Sequence, residues 1–294
     1  MAQFLLVVMW SSGFIGAELG TRYATADTLL AWRYVAATVV VLLLARLTRT
    51  AIGGPGTPRQ AVIGLLSQFG YLGGIVTGVG LGVPPGTSAL IASLQPLIVA
   101  TVAGRLLGEH TRRWQRVGLV VGIAGVALVV GNDLGSGGAP VYAYLLTVGG
   151  MLALSAGTVL ERLWRPSRTL LESLAIQSVV TAIAFLAVAG ALGHAAPPVS
   201  AGFWWSVVWV VGLSTFGGYG AYTYVVRHHG ATTASTLLYL TPPTTMLWAY
   251  LMFGDAITAL GLGGLAVSAV GVALALGIGT RRAHVPADTR GVLR

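Results

Sequence analysis

From Ala2 onward the chain alternates long apolar runs with short polar breaks. The runs are about 20 residues each, the length an α-helix needs to cross a hydrocarbon core; barrel strands would alternate over about 10. Ten such runs are predicted as helices: 2–20, 28–47, 61–82, 85–107, 114–131, 141–160, 170–191, 203–225, 232–253 and 258–279. The longest breaks hold about a dozen residues, as in "TRTAIGGPGTPR" (48–59), too few for a soluble domain. The pattern therefore predicts an all-α integral membrane protein with ten transmembrane helices. Residues 280–294 are polar and predicted to be a disordered tail.

The apolar pattern repeats. At a shift of 146 residues Thr87 falls on Thr233, Pro96 on Pro242, Gly108-Glu109 on Gly254-Asp255, and "GVAL" at 125–128 on "GVAL" at 271–274. At a shift of 144, Ser11 falls on Ser155, Gly13 on Gly157 and Arg33 on Gln177. This predicts a first five-helix repeat at 1–131, an outer linker at 132–140 and a second repeat at 141–279. Five spans per repeat is an odd number, so the second copy enters the membrane inverted. Inverted copies suit alternating access, because each can take the other's role on the opposite side. Proline in the fourth and ninth runs removes a backbone donor and opens the helix, which makes Pro96, Pro242 and Pro243 candidate hinges.

Composition sharpens the solvent assignment. The chain is 55% hydrophobic and 9% charged, with mean hydropathy +0.81. Roughly a quarter of a soluble domain is charged, so lipid is the expected surroundings. The net charge of +9 raises nucleic acid as a partner, but the 17 basic residues are all arginines, nearly all of them in short breaks between spans or in the tail. With both termini in the cytoplasm, 15 of the 17 lie inside and only Arg22 outside, with Arg33 within a span. That reads as multi-pass topology in the cell membrane, with the lipid bilayer as partner and no nucleic acid. No basic residue precedes the first run, and Trp10 and Glu18 interrupt it, which argues against a cleaved signal peptide. There is no cysteine, so disulfides are excluded. The sequence is compatible with a monomer and fixes no oligomeric state.

Several segments together carry a resemblance: "WSSGFIGAELG" (10–20), "LLAWRYVAA" (29–37), "GYLGG" (70–74), "TSALIASLQPLIVATVAGRLLGE" (87–109), "RVGLVVGIAGVALVV" (116–130) and "STLLYLTPPTTMLWAYLMFGD" (235–255). They resemble the EamA-type branch of the drug/metabolite transporter superfamily. The resemblance implies two inverted five-helix halves around a central cavity lined by helices 1, 3, 4, 6, 8 and 9. It also implies movement of small metabolites, often outward: amino acids, nucleosides, sugars or toxic compounds. The sixth helix departs from the pattern, since "LALSAG" (152–157) has no tryptophan to match Trp10.

Candidate substrate-binding residues follow from polarity and position. Trp10, Ser11, Ser12 and Phe14 offer an aromatic face and two hydroxyls at mid-depth; serines in such places also bond back to their own helix. Gln68, Tyr71 and Gln95 are candidates in the first half, and Gln177, Tyr219, Tyr222, Tyr239 and Thr241 in the second. Arg33 and Glu18 sit inside spans at comparable depth, where a lone charge costs about 2.5–3.5 kcal/mol on insertion scales. They suit a mutual pair, read as an outer gate, as a proton-sensitive coupling site or as packing. Glu161 is a second coupling candidate, with protons the implied partner. Gly70, Gly74, Gly78 and Gly82 recur every four residues as a face for close helix contact. Glu109 and Asp255 are expected to cap the helices that follow them.

Other classes fit less well. Histidines 110, 194, 228, 229 and 284 fall in breaks or the tail and form no metal set at depth, so no metal or cofactor is expected. No phosphate-binding G-x-x-x-x-G-K-[ST] loop exists to use ATP. A channel would be expected to repeat a polar ring, whereas the spans hold isolated polar positions near kinks. The reading is a non-enzymatic secondary transporter or facilitator moving a small metabolite. A channel-like protein or a scaffold, and then an intramembrane enzyme, are the alternatives.

Overall fold

A computed structural model describes residues 1–106, 113–135, 138–164 and 168–276. Among these the chain is all helix. The predicted tail and the expected cap at Glu109 lie outside the described residues.

The first two runs form α1 (Ala2–Thr21) and α2 (Ala26–Leu47). The third is one continuous path in three parts: α3 (Thr57–Gly64), a π-helical stretch π1 (Leu65–Gly70) and α4 (Tyr71–Gly80). The fourth is broken into α5 (Pro85–Ala92) and α6 (Gln95–Leu106). Then come α7 (Arg113–Gly135), α8 (Val141–Trp164) and α9 (Leu170–Ala191). α7 runs past the expected end at 131, so the connection to α8 is shorter than the expected 132–140. Next is a second three-part path of α10 (Ala201–Trp209), π2 (Val210–Gly218) and α11 (Tyr219–His229). A second broken helix, α12 (Ala231–Leu238) and α13 (Thr241–Phe253), leads to α14 (Ala259–Leu276). Seven helices among the described residues are long and apolar enough to cross a membrane, all between Ala2 and Ala191.

Local chemistry explains the ends and breaks. Thr169 opens α9 with a reciprocal capping box: its hydroxyl accepts from the Glu172 amide, and Glu172 accepts from the Thr169 amide. Pro96 has no N–H for the Ala92 carbonyl, and the chain tightens before it. Leu94 N–H turns back to the Ile91 carbonyl at 3.2 Å, and Ile98 N–H restarts on the Leu94 carbonyl at 3.1 Å. The second break repeats these bonds 146 residues on: Leu240 N–H to Leu237 O at 2.9 Å and Thr244 N–H to Leu240 O at 3.1 Å. Pro242 is buried and Pro96 half-buried, so neither faces lipid alone.

Packing follows the small residues. Gly70, Gly74 and Gly78 lie against Ala153, Gly150 and Thr147 of α8, as the four-residue spacing predicted, while Gly82 (φ +101) turns the chain out of the helix. α7 and α14 meet through Gly118 against the Gly271 carbonyl and Gly125 against the Gly264 carbonyl. Between them Ser268 Oγ donates to the Gly122 carbonyl at 3.2 Å. α2 packs on α9, and α1 packs on π2 and α13. One apolar core joins Leu29, Leu30 and Tyr34 of α2 to Phe185 of α9 and Phe203 of α10. Large apolar side chains such as Leu43, Val120, Leu145 and Leu251 point outward, as lipid permits and water does not.

Candidate functional site

The π segments do what a straight α-helix does not. In π2 the Thr215 hydroxyl donates to the Val210 carbonyl, five residues back, at 3.1 Å. Its oxygen is then presented to α2, where Arg33 Nη2 donates to it at 3.2 Å. π-bulges are frequent at functional sites, and this one supports a buried cation. In π1 the equivalent place holds Gln68, whose amide donates to Gln177 Oε1 of α9 at 2.8 Å. Gln177 Nε2 in turn donates to Gln60 Oε1 at 2.7 Å. The two sites correspond: 33 maps to 177 at a shift of 144, and "SQFG" (67–70) maps to "STFG" (214–217) at 147. Gly13 packs on the Ser214 hydroxyl, and its counterpart Gly157 on the Ser67 hydroxyl. Each half thus reaches into the other's π segment.

A cavity of about 510 Å³ lies along these segments. Trp10 and Phe14 of α1, Arg33 and Tyr34 of α2, Gln68 of π1, Tyr71 of α4, Ser214 and Thr215 of π2 and Tyr219 of α11 line it. It opens beside the exposed Tyr224, Arg227 and His228, near the end of α11. Arg33 is only 6% exposed. Its guanidinium lies 5.9 Å from the centre of the Tyr34 ring, and among the described residues no carboxylate comes within salt-bridge distance of it. No Asp or Glu lines the cavity among the described residues. Gln68 Oε1 is buried without a hydrogen-bond partner.

Of the residues predicted from sequence, Trp10, Phe14, Arg33, Gln68, Tyr71 and Tyr219 come together on this lining. Tyr222 stands behind Trp10, ring centres 5.8 Å apart, with Tyr219 at 5.9 Å. Ser11 Oγ donates to the Thr241 carbonyl at 3.4 Å and Ser12 Oγ to the Met9 carbonyl at 2.6 Å, so both hydroxyls serve backbone. Gln95 donates to Thr158 at 3.1 Å, and Gln177 is held in the amide ladder. Tyr239 packs against the core cluster that includes Leu94 and Tyr144, and Thr241 is buried at the start of α13. Glu161 is exposed near the end of α8. None of Pro96, Pro242 and Pro243 lines the cavity.

The expected Glu18–Arg33 pair does not form. Glu18 binds Arg22 at 2.8 Å, one helical turn along the same face, and Arg22 lies 4.3 Å over the Phe253 ring. Asp255, in the connection between α13 and α14, has its carboxyl pushed up by burial and by the Glu18 charge, with Arg22 opposing. The expected capping bond is not what Asp255 provides: the amide of Gly261 is met by Thr258 Oγ1, at 3.0 Å. Sequence reasoning missed Tyr34, Ser214, Thr215, Arg227 and His228. For Ser214 and Thr215 the repeated S-x-F-G at 67–70 and 214–217 was the available signal.

Comparison with known proteins places this geometry. The EamA-like transporter family is matched at residues 1–131 and again at 141–277. A Salmonella typhimurium protein named a probable amino-acid metabolite efflux pump is 20% identical over 91% of this chain and 91% of its own. An Escherichia coli K12 protein named an uncharacterized inner membrane transporter, YedA, is 28% identical over 84% of this chain and 80% of its own. A Streptantibioticus cattleyicolor protein named a probable terminal-alkyne amino-acid exporter is 26% identical over 93% and 91%. A solved crystal structure at 22% identity superposes with a TM-score of 0.67, covering 94% of this chain and 96% of that one, and shares the fold. With the family matched across both halves, the chain belongs to the EamA-like transporter family.

Proposed function

We propose that this protein is a secondary transporter that exports a small amphipathic metabolite of the amino-acid class by alternating access. In this reading residues 1–131 and 141–279 are two inverted five-helix repeats of a ten-helix membrane protein. The backbone supports the repetition. Broken helices and π segments recur about 146 residues apart, and contacts are exchanged reciprocally: Gly118 meets Gly271 while Gly125 meets Gly264. Reciprocal contacts are what a two-fold relation requires. Arginine distribution supports cytoplasmic termini, which puts the mouth at Arg227 on the cytoplasmic side. The relatives named as amino-acid exporters support the substrate class.

The observation that carries the proposal is the cavity itself. It is aromatic, holds a buried cation, and has its exposed lining at one end. Beyond Phe14, α1 continues to the Glu18–Arg22 pair, with Arg22 over the Phe253 ring, which in this reading marks the closed end. Transport then consists of opening that end as the mouth at Arg227 closes, with Pro96, Pro242 and Pro243 as hinges. Glu18 and Glu161 are the candidate carboxylates for proton coupling.

The test is flux in liposomes containing the purified protein. Saturable, ATP-independent movement of phenylalanine or a similar amino acid is expected. Flux rising linearly to very high concentration would make the protein a channel.

A further inference from the structure

Resting on the transport reading, we infer that Arg33 is the recognition group for a carboxylate on the transported solute, and that the cavity rejects cationic solutes.

Four observations carry this. Arg33 is a buried charge, and a buried charge is normally paired. Its only described hydrogen bond is to Thr215, a neutral hydroxyl, so at least one edge of the guanidinium has no described partner. A planar guanidinium matches a carboxylate with two parallel N–H···O bonds, the strongest pairing available to it. Second, the other charged side chains at the cavity are Arg227 and, when protonated, His228, both at the mouth. Basic groups at the mouth and at depth raise the local concentration of anions and repel cations. Third, Gln68 lines the same cavity, and its Oε1 is buried without a described hydrogen-bond partner. An α-ammonium beside the carboxylate would satisfy it. Fourth, Trp10, Phe14, Tyr71 and Tyr219 supply apolar area for the rest of the solute, within a volume suited to one amino acid rather than a long peptide.

The Gln60–Gln177–Gln68 ladder adds a specific feature. As oriented, each amide donates along the chain, which leaves an acceptor at Gln68 and a donor, Gln60 Nε2, at the far end. Each amide is fixed by its neighbour, so the unpartnered Gln68 acceptor is held by two residues outside the cavity lining.

The experiment measures binding to the full chain by quenching of tryptophan fluorescence, since Trp10 lines the cavity. Four probes share one ring and differ in charge: phenylalanine, 3-phenylpropanoate, phenylalanine methyl ester and phenethylamine. The first two should bind at least about tenfold more tightly than the ester and the amine, the size expected of a charge-assisted pair. Arg33→Gln should bring all four within about twofold of one another, and Arg33→Lys should restore part of the preference. An ester or amine that binds wild type as well as phenylalanine overturns the inference, as does an Arg33→Gln variant that keeps the preference. Because the probe comparison uses wild type, it decides the matter even if Arg33→Gln does not fold. Saturable flux of all four probes at equal rates would remove the carboxylate assignment and leave the transport reading standing. Absence of both binding and flux for every probe would remove both.

Discussion

Arg33 on Thr215 and Gln177 on Gln68 occupy matching places in the two halves, and they differ in one decisive respect. Both join the second helix of one half to the π segment of the other, and both are buried. In one the reaching side chain is a cation beside the cavity. In the other it is a neutral amide satisfied on both sides, by Gln68 and by Gln60. Repetition therefore supplies the frame, and departure from repetition supplies the chemistry. A fully symmetric chain would bury either two cations or none. One cation at a near-symmetric junction gives the cavity a sign without multiplying the desolvation cost.

Breaking the contact between α7 of one half and α14 of the other should have the largest effect. A Cβ at Gly125 would sit 2.6 Å from the Gly264 carbonyl oxygen and 2.6 Å from the Ser268 amide nitrogen. Neither is a flexible side chain, so Gly125→Leu must push α7 off α14. Overpacking of this kind costs about 3 kcal/mol or more, and size-exclusion chromatography should show little folded protein. Gly131, on the same helix with nothing within 4 Å of its added Cβ, is the control; Gly131→Leu should leave the protein intact. Folded Gly125→Leu at wild-type yield would mean the halves are not held together there.

Erasing the difference between the pairs comes next. Arg33→Gln makes the first pair resemble the second. Export of an amino-acid substrate should fall by about tenfold to a hundredfold, the range for losing a charge-assisted hydrogen bond, while membrane abundance holds. Equal loss of transport and abundance would assign Arg33 to structure. Breaking the neutral pair should do the opposite. Gln177→Leu strands Gln68 Nε2 and Gln60 Oε1, at about 1–3 kcal/mol for a buried unsatisfied group. A lowered unfolding temperature is expected, with transport by the surviving folded protein reduced less than in Arg33→Gln.

The contrast between the pairs also explains what the sequence could and could not reveal. The breaks at Pro96 and Pro242 were legible because proline lacks the donor a helix needs. Arg33 stood out because charge is rare in an apolar run. Gly70, Gly74 and Gly78 announced their contact through spacing alone. The π segments were not legible: no residue in "LLSQFG" or "VVGLSTFGG" lacks a donor, and the widened turn is fixed by packing against α1 and α8. The cavity therefore lies along the π segments, whereas proline-based reasoning looked to the broken helices. Glu18 was matched to Arg33 by depth, but α1 itself offers Arg22 four residues on, without the cost of bridging helices. Gln60 escaped notice because the third span was expected to begin at 61; α3 starts at Thr57 and carries Gln60 into the core.

The smallest effect concerns the end of the bundle opposite the mouth, where Asp255 lies close enough to feel Glu18 and Arg22. Burial, then the Glu18 charge, hold its carboxyl above the ordinary value of 3.8. A raised carboxyl means the folded state binds the proton more tightly than the unfolded chain does. Ionised Asp255 is then a cost at neutral pH, and the cost disappears as pH falls through the raised value toward 3.8. Asp255→Asn should therefore stabilise the protein at pH 7, and the gain should shrink as pH falls. The site is half-buried, so screening keeps the gain within about 0.5 kcal/mol. Glu18→Gln removes the like-charged neighbour, and in that background Asp255→Asn should gain less, a coupling that a double-mutant cycle reads directly. A gain unchanged by Glu18→Gln would mean that burial alone raises Asp255.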